Sequence, residues 1–405
     1  MATLPSVDRL RRWPWWSIPA VVFLATRIPS GLMLAWLGRD QLPARPLGPG
    51  ETVTTRVDPP TYLHLIANWD GQWYQRAAEH GFPSHLPMFD GAVQQNTWGF
   101  YPLYPATVRA VMTTGLSFGV AASLVSIVCG TVAVCLLYRM LWPRTGRFAA
   151  TMTVLALCTY PASVTLQAAY AESMALLLAV AALMCLGRRQ YAALLGFAVL
   201  LSLTRPIVLP LALVVGIHWL VRWHRRREDP FPPRQAVWVG AVAVLTALTF
   251  LIWPLVAAVV TGQRNAYFAT RNAWDLEHAH GWPSWLLVFA GTNSWALRIV
   301  VVACVLALAW VVARRWAALW GMELRTWAWA YPLFLLGTTR PTFSIFRYAM
   351  LAAVPWWPFP EAGRTVTSPR GRVGLAVMVL LIGLATQLIW MHWFYVITSG
   401  ALGYP

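Results

Sequence analysis

Lysine is absent from this 405-residue chain, and aspartate and glutamate together number only 14. Charged residues make up 11% of it, against about 25% in a soluble globular protein, which excludes a soluble domain. Short segments of alternating hydrophobicity are missing as well, and their absence excludes a transmembrane β-barrel. The five cysteines (Cys129, Cys135, Cys158, Cys185 and Cys304) all lie inside apolar runs, and none form a Cys-x-x-Cys pair. They read as small core residues, not as disulfides or metal ligands. No Asn-x-Ser/Thr acceptor occurs, and neither does Asp-x-Asp, the usual metal–sugar-phosphate signature. That every basic residue is Arg, in an Ala-rich chain, reflects genome composition.

What is present is apolar. Hydrophobic residues reach 58% and the mean hydropathy is +0.55. A bilayer crossing needs about 20 apolar residues, and a helix satisfies its own backbone in lipid. The chain therefore reads as an all-α polytopic membrane protein, a single transmembrane domain over 1–405. Spans are expected near 18–37, 119–141, 148–163, 170–186, 191–204, 207–221, 236–260, 294–312, 327–337, 345–359 and 373–397, about eleven in all. Many of the 25 Trp fall near span ends, as an aromatic belt requires. The first run follows Arg9, Arg11 and Arg12. It is too long for a signal peptide, and no small-residue cleavage site follows it, so it reads as an uncleaved span. Arg27 lies inside that span, an expensive position.

The net charge of +17 would on its own suggest nucleic acid. Its distribution argues otherwise. With the N-terminus in the cytoplasm, cytoplasmic loops collect 19 of the 31 Arg against five acids, a balance of +14, and the rest of the chain holds +3. That is the positive-inside asymmetry of a multi-pass plasma-membrane protein, so no nucleic-acid partner is expected. The polar segment 38–118 then falls on the extracytoplasmic face, together with the connections 160–173, 204–206, 261–293 and 338–347. These hold Glu172, Arg205, Arg264, Arg271, Asp275, Glu277, Arg340 and Arg347. Polar residues that a membrane protein keeps only for a reason thus converge on one side.

Within 38–118, residues 61–80 read as one juxtamembrane helix. Leu65, Trp69, Trp73 and Ala77 recur at i+4 and form a stripe suited to the membrane surface. Asp70 and Tyr74 share the adjoining face. Trp69, Trp73 and Tyr74 suit sugar stacking and an interfacial belt equally. The stretch Phe100-Tyr101-Pro102-Leu103-Tyr104-Pro105 carries two prolines that fix a non-helical entry into the next element. Tyr101 within it is a substrate-contact candidate.

Trp69-Asp70-Gly71-Gln72-Trp73-Tyr74, followed by Phe100–Pro105, resembles the PIG-V-like family of membrane mannosyltransferases, which belongs to the GT-C glycosyltransferases. The likeness continues in order through Ser126, Leu137-Tyr138-Arg139, Ala169-Tyr170-Ala171-Glu172-Ser173, Leu203-Thr204-Arg205-Pro206 and Phe346-Arg347-Tyr348. Each motif is short; the ordered set touches most of the chain. The resemblance implies a GT-C-like bundle and a polyprenyl-phosphate-linked sugar as donor. It also implies an Asp of the first extracytoplasmic loop as base, the position Asp70 matches. The chain departs from the human-type pattern in being compact and in carrying Gly71 after the Asp. It looks like the bacterial branch, whose acceptor (lipid, glycan or protein) is less predictable.

The chemistry of such a transfer fits the residues. A lipid phosphate is an adequate leaving group, so no strong general acid is needed. One carboxylate that deprotonates the acceptor hydroxyl from the opposite face suffices for inversion. Cations near the phosphate stabilise the departing charge; Arg205, Arg340 and Arg347 are the candidates. Arg205 serves equally as an ion-pair partner of Glu172. Glu172, at a span start, suits a substrate hydroxyl or the helix N-terminus. Glu277-His278-Ala279-His280 invites a metal reading, but without Asp-x-Asp the loop 263–285 is expected to line the acceptor site, and no metal or other cofactor is expected. Asp58 and Asp90 read as solvated loop acids. The rival readings are the same fold with another sugar, such as arabinofuranose or glucose, and a lipid-linked sugar flippase or transporter. Internal repeats would favour the transporter; none is visible.

Overall fold

The computed structural model describes residues 14–42, 60–274, 284–285, 295–339, 342 and 344–397. Four helical stretches are long and apolar enough to cross a membrane: Ser17–Asp40, Phe118–Cys158, Pro233–Thr261 and Pro369–Tyr395. The bundle is built from α1 (Ser17–Leu37), α2 (Asp70–His80), α3 (Leu103–Met112), α4 (Phe118–Cys158), α5 (Glu172–Gly187), α6 (Tyr191–Ser202) and α7 (Val208–His224). It continues with α8 (Pro233–Leu248), α9 (Ile252–Thr261), α10 (Ala266–Asn272), α11 (Trp295–Ala313), α12 (Met322–Thr338), α13 (Ser344–Ala349) and α14 (Pro369–Trp390). A two-residue hairpin, β1 (Met88–Phe89) and β2 (Ala92–Val93), is the only sheet among the described residues.

The 41-residue α4 holds two expected spans, folded back on each other at Gly146, whose φ of 80° suits glycine. Helix α4 is the mast of the bundle: α1, α3, α5 and α14 all pack on it. Small residues permit the close approach, as expected where helices meet without a hydrophobic drive between them. A side chain at Gly130 would run into the Phe23 ring of α1, and one at Gly383 of α14 into Thr159. Arginines and their partners gather at the end of the kink. Arg144 lies against Gly321, Arg189 pairs with Asp229, and Gly363 sits beside Thr145 and Phe148.

Three expectations are corrected. First, 345–359 is not a regular span. It is α13, a 3-10 turn Met350–Ala352, and then Ala353 at φ 65°. The chain nevertheless runs from Arg347, which contacts Asp70, to Gly363 at the Gly146 kink, and so passes from one end of the bundle to the other. Irregular backbone at that depth is tolerated only where protein buries it. Met350–Val354 are all sealed from solvent, and Trp327 Nε1 and Tyr331 OH donate to the carbonyls of Leu351 and Tyr348. Second, the span expected to reach residue 163 ends as helix at Cys158. Residues 159–171 follow as a nearly fully buried irregular segment with one 3-10 turn, Ser163–Leu166. Third, 61–80 is not one helix. A single turn, Tyr62–Leu65, is separated from α2 by a break at Ile66–Trp69. Leu65, Trp73 and Ala77 are buried in protein, not laid on a membrane surface. Trp73 stacks on Phe100 and meets Trp274 edge-on, while Tyr74 packs against Phe100 and Tyr104.

Candidate active site

The break before α2 is what aims Asp70. Trp69 sits at φ 57°, ψ −116°, a conformation that costs an L-residue about 1–3 kcal/mol and persists only where its surroundings impose it. Here they do. Tyr170 OH donates to Asn68 O (2.8 Å), Trp69 Nε1 to Tyr395 O (2.8 Å), and Asn68 Nδ2 to Gln41 Oε1 (2.7 Å). Ala169 N and Tyr395 OH both donate to Ile66 O. The turn is thus clamped between the irregular segment 159–171 and the C-terminal end of α14. The same closeness makes Gly71 a tight position, because a Cβ there would sit 3.1 Å from Ile66 O.

Asp70 opens α2, where a carboxylate complements the helix dipole. Its Oδ2 lies 2.5 Å from Arg347 Nη1. Arg347 Nε faces Glu172 Oε1 at 3.1 Å, and Arg205 Nη2 donates to the same oxygen at 2.6 Å. Two cations and two carboxylates therefore form one chain, Asp70–Arg347–Glu172–Arg205, drawn from α2, α13, α5 and the α6–α7 turn. The Tyr348 ring lies 5.0 Å from both guanidinium groups, and its hydroxyl accepts from Arg347 Nη2 at 3.2 Å. Burial is graded along this chain. The Glu172 side chain is sealed, those of Arg347 and Arg205 are nearly so, and that of Asp70 is 27% exposed. Burial disfavours the Arg205 charge, but Glu172 more than offsets this and its pKa stands above the usual range. Burial likewise holds the Tyr74 phenol above its ordinary value. Glu172 Oε2, Arg205 Nε and Arg347 Nε are buried with no hydrogen-bond partner.

The structure therefore brings together Asp70, Glu172, Arg205 and Arg347, which the sequence could only place on one side. The Arg205–Glu172 contact is the ion pair weighed against a phosphate role. Trp69 borders the group, whereas Trp73 and Tyr74 are packed behind Asp70 in the core. Tyr101 points elsewhere, its hydroxyl 2.8 Å from that of Tyr267, in a separate cluster with Trp98 and Trp253. Arg340, Asp58 and the Glu277–His280 run lie outside the described residues. Asp90 is exposed at the hairpin tip. Among the described residues no three His, Cys, Asp or Glu gather as metal ligands. One residue that sequence reasoning placed on this side but did not single out is Arg271, at the C-terminal turn of α10. It is exposed, yet its charge lies within electrostatic reach of Tyr267, Tyr348, Tyr101 and Asp70, and among the described residues no carboxylate pairs with it. Nothing in its sequence surroundings separates it from Arg264.

No family profile and no curated protein matches the chain. Among solved structures it is similar to ArnT from Cupriavidus metallidurans bound to undecaprenyl phosphate. The identity is 14% and the TM-score 0.51, over 92% of this chain and 75% of that one. It is also similar to the apo oligosaccharyltransferase of Archaeoglobus fulgidus (14% identity, TM-score 0.45, 94% of this chain and 56% of that one). A third match is AglB of the same organism with an inhibitory peptide and a dolichol phosphate (13% identity, TM-score 0.42, 95% of this chain and 56% of that one). The chain thus spans little more than half of the oligosaccharyltransferases. The likeness to ArnT runs over almost the whole chain and shows its fold, an all-α polytopic membrane bundle.

Proposed function

We propose that this protein is a membrane glycosyltransferase. It moves a sugar from a polyprenyl-phosphate donor to a lipid, glycan or protein acceptor on the extracytoplasmic face. The observation that carries this reading is Asp70: a solvent-reached carboxylate on a strained, over-held turn, at the open end of an otherwise buried chain of charges. The ArnT structure, which shares the fold, holds undecaprenyl phosphate, and this supports a lipid phosphate as carrier. The motif resemblance favours mannose. The charge asymmetry of the loops favours a plasma-membrane protein with its N-terminus in the cytoplasm and the site outside.

In the reaction an acceptor hydroxyl approaches the anomeric carbon from the face opposite the lipid phosphate. Asp70 takes its proton as the new bond forms, and the carbon–oxygen bond to the phosphate breaks with inversion. Arg271, which is exposed, and Arg347 supply positive charge where the phosphate leaves. Glu172 and Arg205 act at one remove, by fixing Arg347. Trp69 borders the sugar. The lipid-linked sugar is the co-substrate.

The test is transfer from polyprenyl-phosphate-mannose, and from the glucose and arabinofuranose donors, in membranes carrying Asp70→Asn. Loss of the general base lowers turnover by about 10²–10⁴-fold, with expression unchanged. Full turnover in that variant would falsify the base assignment.

A further inference from the structure

In the proposed reaction Asp70 has to accept a proton, yet its Oδ2 is held 2.5 Å from Arg347 Nη1. Two of the three Arg347 guanidinium nitrogens are hydrogen-bonded, and the third, Nε, lies against Glu172 without a hydrogen bond. Nε faces Glu172, Nη2 donates to Tyr348 OH, and Nη1 donates to Asp70. These partners are not held equally. Glu172 is sealed from solvent, and the Tyr348 ring lies against both buried guanidinium groups. Asp70 is the partner that solvent reaches, with 27% of its side chain exposed. An anion that approaches Arg347 from the open side therefore meets Asp70 and competes with it, not with Glu172.

We propose that the Asp70–Arg347 bond is a resting pair that the donor's phosphate opens. The phosphate takes Nη1, and Asp70 is released to act as base. This rests on the reading of the site as a lipid-phosphate glycosyltransferase. A phosphate oxygen is as strong a charge-assisted acceptor as a carboxylate oxygen, so the exchange at Nη1 is close to balanced. Arg271 tips it, because it offers the phosphate a second cation, exposed and within electrostatic reach of Asp70. Without donor the base stays masked, and neither water nor a lone acceptor is activated.

The same exchange releases product. The acceptor oxygen bonds to the anomeric carbon, the bond from that carbon to the phosphate oxygen breaks, and its electron pair stays on the lipid phosphate. The hydroxyl proton passes to Asp70, which is then neutral and cannot compete for Arg347. Once Asp70 gives that proton to water, its charge returns and displaces the lipid phosphate from Nη1.

Binding of a soluble short-chain carrier, farnesyl phosphate, to the purified full chain in nanodiscs tests the exchange by titration calorimetry. A pair that is closed about nine-tenths of the time weakens apparent affinity about tenfold. Asp70→Asn is therefore expected to bind farnesyl phosphate about tenfold tighter than wild type, and Arg347→Lys weaker. Equal or weaker binding by Asp70→Asn overturns the exchange and leaves the glycosyltransferase reading standing. A wild-type protein that neither binds farnesyl phosphate nor transfers sugar overturns both. A second measurement needs no variant. Farnesyl phosphate is expected to raise the labelling of wild-type Asp70 by a hydrophobic carbodiimide, read by peptide mass spectrometry, and unchanged or reduced labelling overturns the proposal.

Discussion

Two buried arginine clusters border the same irregular segment, 159–171, and they are built on opposite plans. Arg27 of α1 donates to the carbonyl of Cys158, the last residue of α4, and to that of Ser163 just beyond it. It thereby caps a helix C-terminus whose carbonyls need donors and whose dipole favours a cation. Its surroundings are neutral: Ser30 donates to Gln387, Gln387 donates to Ser163, and the Phe23 ring lies 5.0 Å away. Arg347 and Arg205 are instead matched by two carboxylates, one of which reaches solvent. A buried charge is therefore not by itself a mark of function. Arg27 stood out in the sequence as clearly as Arg205 did, and it closes a helix end. What separates the clusters is an exposed acid on a strained turn.

That difference is open to test. The largest effect on the protein as a whole is expected from Glu172→Ala. It strands two buried guanidinium groups, and breaking a buried ion pair from one side costs about 3–5 kcal/mol. Thermal unfolding in detergent is expected to show that loss, together with loss of transfer as Arg347 is no longer fixed. If Glu172→Ala unfolds like wild type, Glu172 does not hold the charge chain together.

Arg27→Met is expected to behave differently. The Cys158 carbonyl keeps the Ser163 hydroxyl as donor, so only part of the cap is lost. Removing a buried cation that has no carboxylate partner among the described residues also relieves desolvation. The two effects leave a destabilisation of about 1–2 kcal/mol, and transfer per folded molecule is expected to match wild type. A fall in turnover at unchanged stability would move Arg27 into the site and erase the distinction drawn here.

The grouping of the candidate charges was more legible in the sequence than the backbone was. Asp70, Glu172, Arg205 and Arg347 stand out because ionisable residues in or beside apolar runs are costly, and loop charge placed them on one side. The breaks were not legible. Residues 345–359 are apolar enough for a span, and composition does not separate a lipid-facing helix from irregular backbone buried in protein. The i+4 stripe of Leu65, Trp73 and Ala77 reads identically for a membrane face and a protein core. The period also runs straight through Trp69, because a single left-handed residue imposed by distant Tyr170 and Tyr395 leaves no local signal. Arg271 was hidden for a related reason. It is one loop arginine among several, and only the fold brings it near Asp70.

The smallest effect is expected at the arginine-rich end, where neither plan applies. Asp229 joins Arg189 (2.5 Å) and Arg222 (3.4 Å) in a loop that solvent reaches. Slight desolvation works against its carboxylate, but Arg189 and then Arg222 outweigh it and hold its pKa below the ordinary value. A depressed folded-state pKa contributes stability that is full above the unfolded carboxylate's pKa and is lost as pH falls through the folded one. Asp229→Asn should therefore flatten only the acid limb of the stability profile, and by less than either buried substitution, because water and salt screen an exposed pair. Added salt should produce the same flattening in wild type while leaving the Glu172→Ala deficit in place. Asp229 also touches Arg222, which is buried and grouped with Tyr191, His218 and Glu323. A salt-insensitive loss in Asp229→Asn would mean that it is coupled to that buried group. Any change in its sugar transfer would mean that burial and solvent reach do not separate the candidate site from the structural charges.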